Sequence, residues 1–466
     1  MKKHLLVAVS FILFFTASAQ WQNQNAALMN NALGFYEMSI VDHKTAWAVC
    51  YDGINGLFSN RLVLDFTRTV NAGNTWISGK MGNDSSLQFS NISAVSKKEA
   101  WVAMHKLNGI TGGGLYHTTD GGVTWSQSNA GLIFDANSFP NFVHFKNKNK
   151  GVAMGDPNGG SFEVYTTNNG GDSWNRITPA HLPAPLANEY GFISGYYAVD
   201  NTIWFGTLSG RMYKSTNFGK DWTVNTVDPA GNGVYEIAFN DDKLHGVTHV
   251  RTATQTLLYS TTDGGVTWTN LGIPPYWKSS RITAVPGTNA LVSTSVIPTN
   301  QGSAISYDNG TTWTELENTA PKAVARFLDE HTGWAGGFYF LGPPFSGGIY
   351  KSEINFQTSQ CHNSKVNPNA ITSTGPSVIE QNTKADFVKI YPTPANDVIN
   401  ILLPDSPVIT TYVISILTME GRSIETRKLQ SSKLYQVNVS KLTTGSYIIR
   451  FTNNGQTVNK VFTIAR

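Results

Sequence analysis

The chain has 466 residues, 14% of them charged and 12% aromatic, with 43 glycines and 12 tryptophans. This composition lacks the Glu, Lys, Ala and Leu runs of helical bundles and suits short strands joined by glycine-rich turns. The formal net charge is only +3 and no Lys/Arg cluster is present to neutralise a run of phosphates, which excludes nucleic acid as the expected partner.

The first segment, residues 1–19, reads as an export signal. Met1-Lys2-Lys3-His4 supplies positive charge, Leu5 to Phe15 a short apolar core, and Ala17-Ser18-Ala19 a small-residue cleavage site before Gln20. No later stretch approaches the roughly 18 apolar residues of a membrane helix, so the mature chain is expected to have no transmembrane segment. The two cysteines, Cys50 and Cys361, fall near the same junction of the repeat described next. In an oxidising compartment they either form a disulfide or remain a buried Cys50 and a free Cys361.

Residues 20–356 are organised by a repeat. A pattern of Ser/Thr, any residue, Asp/Asn, any residue, Gly, two residues and Trp occurs six times. It is centred on Asn71, Asp120, Asn169, Asn217, Asp263 and Asp308 and ends on Trp76, Trp125, Trp174, Trp222, Trp268 and Trp313. Asx is expected to fold back onto backbone N–H groups two residues on, Gly to supply positive φ, and Trp to bury its ring against a neighbouring hairpin. A calcium loop is disfavoured, because half of the Asx positions are Asn and no glutamate completes a ligand set; no metal or cofactor is expected. The tryptophans are spaced by 49, 49, 48, 46 and 45 residues, about one four-stranded blade each. A second strand recurs seven times, from Trp47-Ala48 to Trp334-Ala335, and a third ends at Gly348-Ile349-Tyr350-Lys351 with no turn motif after it.

Seven inner units with six turn motifs leave one outer strand unaccounted for. Trp21-Gln22-Asn23-Gln24-Asn25 resembles Trp125-Ser126-Gln127-Ser128-Asn129 and stands about one period before Trp76. The expected fold is therefore all-β: a seven-bladed β-propeller closed by its N-terminal strand, which removes exposed sheet edges. The repeat resembles the Asp-box (BNR) motif of sialidases, sortilin-like receptors and related propellers.

Residues 357–386, rich in Ser, Thr, Asn, Gln and Pro, read as a flexible linker. From 387 to 466 strand patterns return, as in Tyr412-Val413-Ile414-Ser415-Ile416 and Tyr447-Ile448-Ile449-Arg450-Phe451, and indicate a small Ig-like antiparallel sandwich. Ile390-Tyr391-Pro392-Thr393-Pro394-Ala395-Asn396-Asp397, Gly421-Arg422, Gly445-Ser446-Tyr447 and the closing Lys460-Val461-Phe462-Thr463-Ile464 resemble the type A C-terminal sorting domain of the type IX (Por) secretion system. Thr393 departs from the Asn usual between the two prolines. The resemblance implies partnership with the type IX machinery and passage through the periplasm to the outer-membrane surface of a Gram-negative cell, or beyond it.

The resemblance to Asp-box propellers implies ligand sites on the face opposite the turn motifs, where Arg61, His105, Asp156, Glu163, Glu189, His249, Arg251 and Arg281 are expected to fall. Trp277, beside Tyr276 and after Pro274-Pro275, is the one tryptophan the repeat does not explain. The pair suits sugar stacking or a protein contact, with a loop anchor as the plainer reading. Gly155-Asp156-Pro157, the turn at Asn169, Pro179-Ala180-His181-Leu182-Pro183 and Glu189 resemble secreted propellers related to the photosystem II stability/assembly factor. That resemblance points to Asp156, Glu189 and Arg211 and implies a scaffold or binding role for a glycan or a surface protein. The alternative is a sialidase-like glycoside hydrolase, a resemblance that implies an arginine clamp, for which Arg61, Arg251, Arg281 and Arg326 are present. Tyr235-Glu236 is a poor nucleophile pair for it, because adjacent strand residues face opposite ways, and the Arg-Ile-Pro signature of that family is missing.

Overall fold

The computed structural model describes residues 20–356 and 389–465, apart from 27, 29–32, 53–62, 83–85, 107–110, 129–131, 338–347, 392–394, 403–410, 419–422, 431–433 and 454–455. The segments read as an export signal and a linker, together with Arg61 and Cys361, lie outside the described residues. The chain divides into two compact units, Met1–Ser364 and Lys365–Arg466. Among the described residues the regular structure is strand, with one 3-10 turn at Pro179–His181.

The described strands of the first unit form seven antiparallel sheets of four. Sheet one is Leu33–Ile40, Ala46–Asp52, Asp65–Thr69 and Ile77–Lys80 in chain order. Sheets two to six follow the same order and begin with Leu87–Ala94, Pro140–Phe145, Gly191–Val199, Gly233–Phe239 and Arg281–Ala284. Sheet seven takes Lys322–Asp329, Thr332–Gly337 and Ile349–Ser352 from the end of the unit, and Trp21–Gln24 from its start as the fourth strand. The first strand of each sheet packs on the first strand of the next, and Lys322–Asp329 packs on Leu33–Ile40.

Burial follows this order. Second strands such as Ala46–Asp52 and Thr332–Gly337 are buried along their whole length, whereas fourth strands such as Ile77–Lys80 and Thr223–Thr226 are partly exposed. A strand read as a continuous apolar run, Ala46-Trp47-Ala48-Val49, is one covered on both faces, and here neighbouring sheets cover it.

The repeated turn joins the third strand to the fourth, or to the short segment that precedes it, and its hydrogen bonds correct the expectation from sequence. The Asx Oδ1 accepts from the backbone N–H four residues on, not two, at 2.8–3.1 Å in all six copies. The Ser/Thr hydroxyl donates to that same oxygen and accepts from the Gly N–H at 2.8–3.0 Å. Only an acceptor oxygen is needed, so Asn serves as well as Asp. The Gly is required twice over. Its φ is +84 to +88° at Gly73, Gly122 and Gly171, and a Cβ on Gly122 would stand 2.2 Å from Phe66 in the sheet before.

Gln24 occupies the matching position for sheet one. A Cβ on Gly73 would meet the Gln24 side chain, whose Oε1 accepts from both Trp76 Nε1 (3.1 Å) and Trp334 Nε1 (3.2 Å). Trp21 donates from Nε1 to Ser303 Oγ of sheet six at 2.9 Å, and the register runs from Trp21↔Ser352 to Gln24↔Ile349. The N-terminal strand thus contacts sheets one, six and seven.

In the second unit, one sheet orders Lys389–Tyr391, Val398–Leu402 and Leu434–Asn438. The other orders Ser423–Gln430, Thr411–Thr418, Gly445–Asn453 and Gln456–Ile464. Alternate residues Ile399/Ile401, Ile414/Ile416 and Phe462/Ile464 face one shared core. Ala395 forms a parallel bridge to Ile464.

Gln24→Leu strips the acceptor from two indole N–H groups. Urea unfolding is expected to show the first unit destabilised by about 1–3 kcal/mol, while Gln22→Ala on the exposed side of the same strand leaves the midpoint unchanged.

Candidate functional site

Antiparallel order places the first-to-second and third-to-fourth connections at one end of every sheet, and the second-to-third and sheet-to-sheet connections at the other. The repeated turns occupy the former end. Asp156, Glu189, Arg211, Arg251, Tyr276, Trp277 and Arg281 all lie toward the latter.

At the centre, where first strands converge, the strands are irregular. Register shifts between Phe35 and Glu37, Phe89 and Asn91, Pro140 and Phe142, Val234 and Glu236, and Lys322 and Val324 each leave a residue outside the ladder. Such bulges re-aim side chains. In sheet four the irregularity widens: Gly191 pairs with Thr207, the next pair is Tyr196 with Phe205, and Phe192–Gly195 leave the ladder. Ser194 there has φ +56°. This segment reaches sheet one, where the Ser194 hydroxyl donates to Glu37 Oε2 and Tyr36 OH donates to Ile193 O at 3.4 Å. Tyr36 and Tyr51 pack with Ile193, Val296 and Ala323 into a small apolar cluster contributed by four sheets.

Beside that cluster stand two ion pairs. Arg326 Nη2 lies 2.8 Å from Glu37 Oε1. Arg281 Nη1 lies 2.7 Å from Glu236 Oε1 and 3.8 Å from Glu37 Oε2, so one guanidinium nitrogen serves both carboxylates. Both glutamates are buried. Burial raises Glu236 to about 7 against the pull of Arg281, and raises Tyr36 to about 12. Arg281 is held above the ordinary guanidinium range because Glu236, Tyr36 and Glu37 outweigh its burial. Two cations and two carboxyls cancel here, which is what makes their burial tolerable.

Arg281 and Arg326, named for the arginine clamp of a hydrolase, and Glu236 are the sequence-derived residues in this cluster. Glu37, Ser194 and Tyr36 were missed. A signal for two of them was available: Gly34-Phe35-Tyr36-Glu37 and Gly233-Val234-Tyr235-Glu236 repeat a Gly-x-Tyr-Glu pattern at the same place in sheets one and five. A bulge interrupts the simple alternation argument at Tyr235-Glu236, yet the two side chains still diverge. Glu236 meets Arg281, and Tyr235 meets Phe192, His249 and Arg251.

The structure joins Glu189 to Arg211 and keeps Asp156 apart. Glu189 is ion-paired with Arg211, and its Oε1 also accepts from Thr207 Oγ1 at 2.6 Å, while Oε2 accepts from the Leu186 N–H at 2.8 Å. Despite burial, these donors lower its pKa. Arg211 also donates to Ala184 O and Tyr213 OH. Every oxygen of Glu189 is thus committed to folding the 184–190 connection. Asp156 accepts from Asn141 Nδ2 (2.7 Å) and the Gly191 N–H (2.9 Å), and burial lifts it to about 6. Glu163 is buried, bound to Tyr165 OH at 2.9 Å. His105 bonds Ser90 Oγ at 2.9 Å, and burial lowers it to about 4.

Tyr276 and Trp277 part company. Trp277 is 2% exposed, its ring edge-on to His249 at 4.9 Å, whereas Tyr276 is 64% exposed with φ +64°. The loop is pinned on both sides: Asn300 Nδ2 donates to Trp277 O, Lys278 N–H donates to Ser293 Oγ, and Lys278 Nζ lies 2.7 Å from Glu315 Oε1. A bulky residue in the left-handed region, presented to solvent by a buried anchor, is the kind of strained position found at recognition sites. Arg251 is exposed and stacks over the Tyr235 ring at 4.3 Å. His249 is fully buried with both ring nitrogens unpaired, and burial beside Arg251 and Arg281 lowers it to about 3. Cys50 is buried with its thiol raised well above the usual range; its expected partner is among the residues not described. The described residues contain no group of three metal-ligating side chains, and no helix among them is long and apolar enough to cross a membrane.

Four-stranded sheets packed through their first strands define the class: a β-propeller followed by a smaller β unit. Residues 389–465 match the family described as "Secretion system C-terminal sorting domain". The chain is therefore a β-propeller with a type IX sorting tail, which implies dealings with the type IX machinery and a secreted or cell-surface destination. No curated protein matches the chain. Solved structures similar to it include "YCF48 bound to D1 peptide", at 15% identity and a TM-score of 0.49, covering 72% of this chain and 97% of that one. Another is the GH74 enzyme of Niastella koreensis, at 12% identity and 0.45, covering 93% and 66%. A third is the WD40 propeller domain of Doa1, at 10% identity and 0.40, covering 71% and 96%.

Two outcomes follow. Glu189→Gln breaks a buried ion pair and is expected to lower stability by about 3–5 kcal/mol in urea titrations. Between about pH 6.5 and 3 the unfolded chain protonates His249 while the folded chain does not, so folding weakens as pH falls through that window. In His249→Gln the measured slope of stability against pH over pH 4–6 should flatten; an unchanged slope would mean His249 is not the titrating group.

Proposed function

We propose that this protein is an exported binding propeller whose recognition surface lies opposite the repeated turns, delivered by its sorting tail and acting without covalent chemistry. The observation that carries this reading is at the centre. The charged groups best placed for chemistry, Glu37, Glu236, Arg281 and Arg326, are paired with one another. Sheet four's Phe192–Gly195 segment sits against them through Ser194. Recognition is assigned instead to the exposed Tyr276 and Arg251.

The domain reading is residues 1–19 signal, 20–356 propeller, 357–386 linker and 387–466 sorting domain with an Ig-like sandwich. The propeller is read as seven-bladed and closed by Trp21–Gln24. Seven four-stranded sheets among the described residues and the pairing of that strand with Ile349–Ser352 support it. The six turns are read as Asp-boxes, supported by their common hydrogen-bond set. Attachment to the surface and release to the medium are both compatible with this role.

A second reading, glycoside hydrolysis, has one observation in its favour. Glu236, lifted to about 7, and Glu37 share Arg281 Nη1, which sets a carboxyl able to donate a proton near neutral pH beside a second carboxyl. It requires a substrate to displace the Ser194 segment.

With the secreted protein and arrays of extracellular glycans and proteins, retention of a ligand without release of reducing ends is expected, and Tyr276→Ala and Arg251→Ala should weaken retention while leaving the melting temperature unchanged. Hydrolysis that disappears in Glu236→Gln would replace the binding reading with the second one.

A further inference from the structure

Exposed large apolar side chains are unevenly distributed over the first unit. At the end that carries the repeated turns they are scattered: Val123 and Val266 sit in separate turns and Leu244 in a hairpin. At the opposite end Leu132 stands apart in the connection entering sheet three, and the others gather over sheets four to six. Leu186 and Tyr190 lie in the connection entering sheet four, Leu208 between its second and third strands, Ile273 and Tyr276 in the connection entering sheet six, and Ile297 between that sheet's second and third strands. Scattered apolar side chains need no explanation, but a contiguous group on one face does.

The group falls into two connected parts, which meet beneath the surface through Tyr235, His249 and Trp277. The Leu208 N–H donates to Tyr190 O at 2.9 Å. The Leu208 and Phe192 side chains both lie against Gly233, and Phe192 packs on Tyr235 at 5.7 Å. Tyr235 in turn carries Arg251. Asn300, which closes the Ile297 turn, holds the Trp277 carbonyl beneath Tyr276. The face is also rigid, since Glu189 and Arg211 lock the Leu186–Tyr190 connection and Trp277 anchors the Tyr276 loop. A preformed surface loses little entropy on binding.

Its accessible charge is positive. Among the described residues no carboxylate is ion-paired with Arg251, and both oxygens of Glu189 and of the buried Asp228, acids in the connections entering sheets four and five, are occupied. Leucine and isoleucine contribute as much of the face as tyrosine does. That suits apolar side chains better than the hydroxyl-covered faces of sugars, which stack on aromatic rings.

We infer that the face of sheets four to six docks a polypeptide segment bearing bulky apolar side chains and a carboxylate that meets Arg251. This deepens the binding reading above and rests on it, naming a polypeptide in place of a glycan.

The test is selection of phage-displayed random peptides on the immobilised secreted protein, alongside a glycan array probed with the same preparation. Enriched peptides should combine Leu, Ile, Phe or Tyr with Asp or Glu. Their binding should fall about tenfold or more with Leu208→Asp and with Arg251→Glu, and stay unchanged with Val123→Asp at the opposite end. Leu208→Ser serves as a milder variant, and an unaltered thermal midpoint shows that each variant is folded. Peptides insensitive to both Leu208→Asp and Arg251→Glu overturn the inference. An empty peptide selection with glycan binding lost in Tyr276→Ala overturns it too, while leaving the binding reading intact. Retention of neither class removes both.

Discussion

The structure depends on one constraint: a strand that is apolar on both faces must be covered on both faces. Ala46–Asp52 and its counterparts meet that condition only because a sheet stands on either side of each. A linear stack would leave the first and last sheets bare. Contact of Lys322–Asp329 with Leu33–Ile40 removes both bare faces at once. The last sheet then lacks a fourth strand of its own, and Trp21–Gln24 supplies it. Gln24 is well chosen for the join, because one amide oxygen satisfies an indole N–H from each of the two sheets that meet there.

The same constraint settles what can occupy the centre. First strands brought together from several sheets bury the glutamates between them, so charged side chains there must come in matched sets. Glu37 with Arg326 and Glu236 with Arg281 are such a set, and the bulges in the first strands aim them at one another. Removing one partner of a buried pair destabilises far more than the intact pair stabilises. The centre is therefore self-contained, and the binding reading proposed above places recognition outside it, on connections that can vary without disturbing it. Tyr276 shows how: Trp277 is sunk into the sheet while its neighbour is held in solvent.

Much of this was legible in the residues. The Ser/Thr-x-Asx-x-Gly-x-x-Trp spacing gave the size of the four-stranded unit, and the resemblance of Trp21-Gln22-Asn23 to Trp125-Ser126-Gln127 located the outer strand of the last sheet, since both signals are local. The turn chemistry was only half legible. The role of the Ser/Thr hydroxyl and the four-residue reach of Asx depend on backbone geometry that the motif does not spell out. The site was legible only in parts. Arg251 and Tyr276 are exposed as expected of loop residues, but Glu189 and Arg211 turned out to be saturated by one another and by the 184–190 backbone. The central cluster was hidden because Glu37, Ser194, Glu236, Arg281 and Arg326 are scattered over nearly 300 residues of sequence and meet only through sheet order and bulges.

Amide hydrogen exchange on the mature secreted protein, with and without a saturating selected ligand, tests the division between a structural centre and a recognition face most directly. The account predicts new protection in the connections around Leu186, Leu208 and Tyr276, with amides beside Glu37 and Glu236 already slow and unchanged. Protection confined to the repeated turns, or ligand-induced exchange changes centred on Phe192–Gly195 and Glu236, would contradict it.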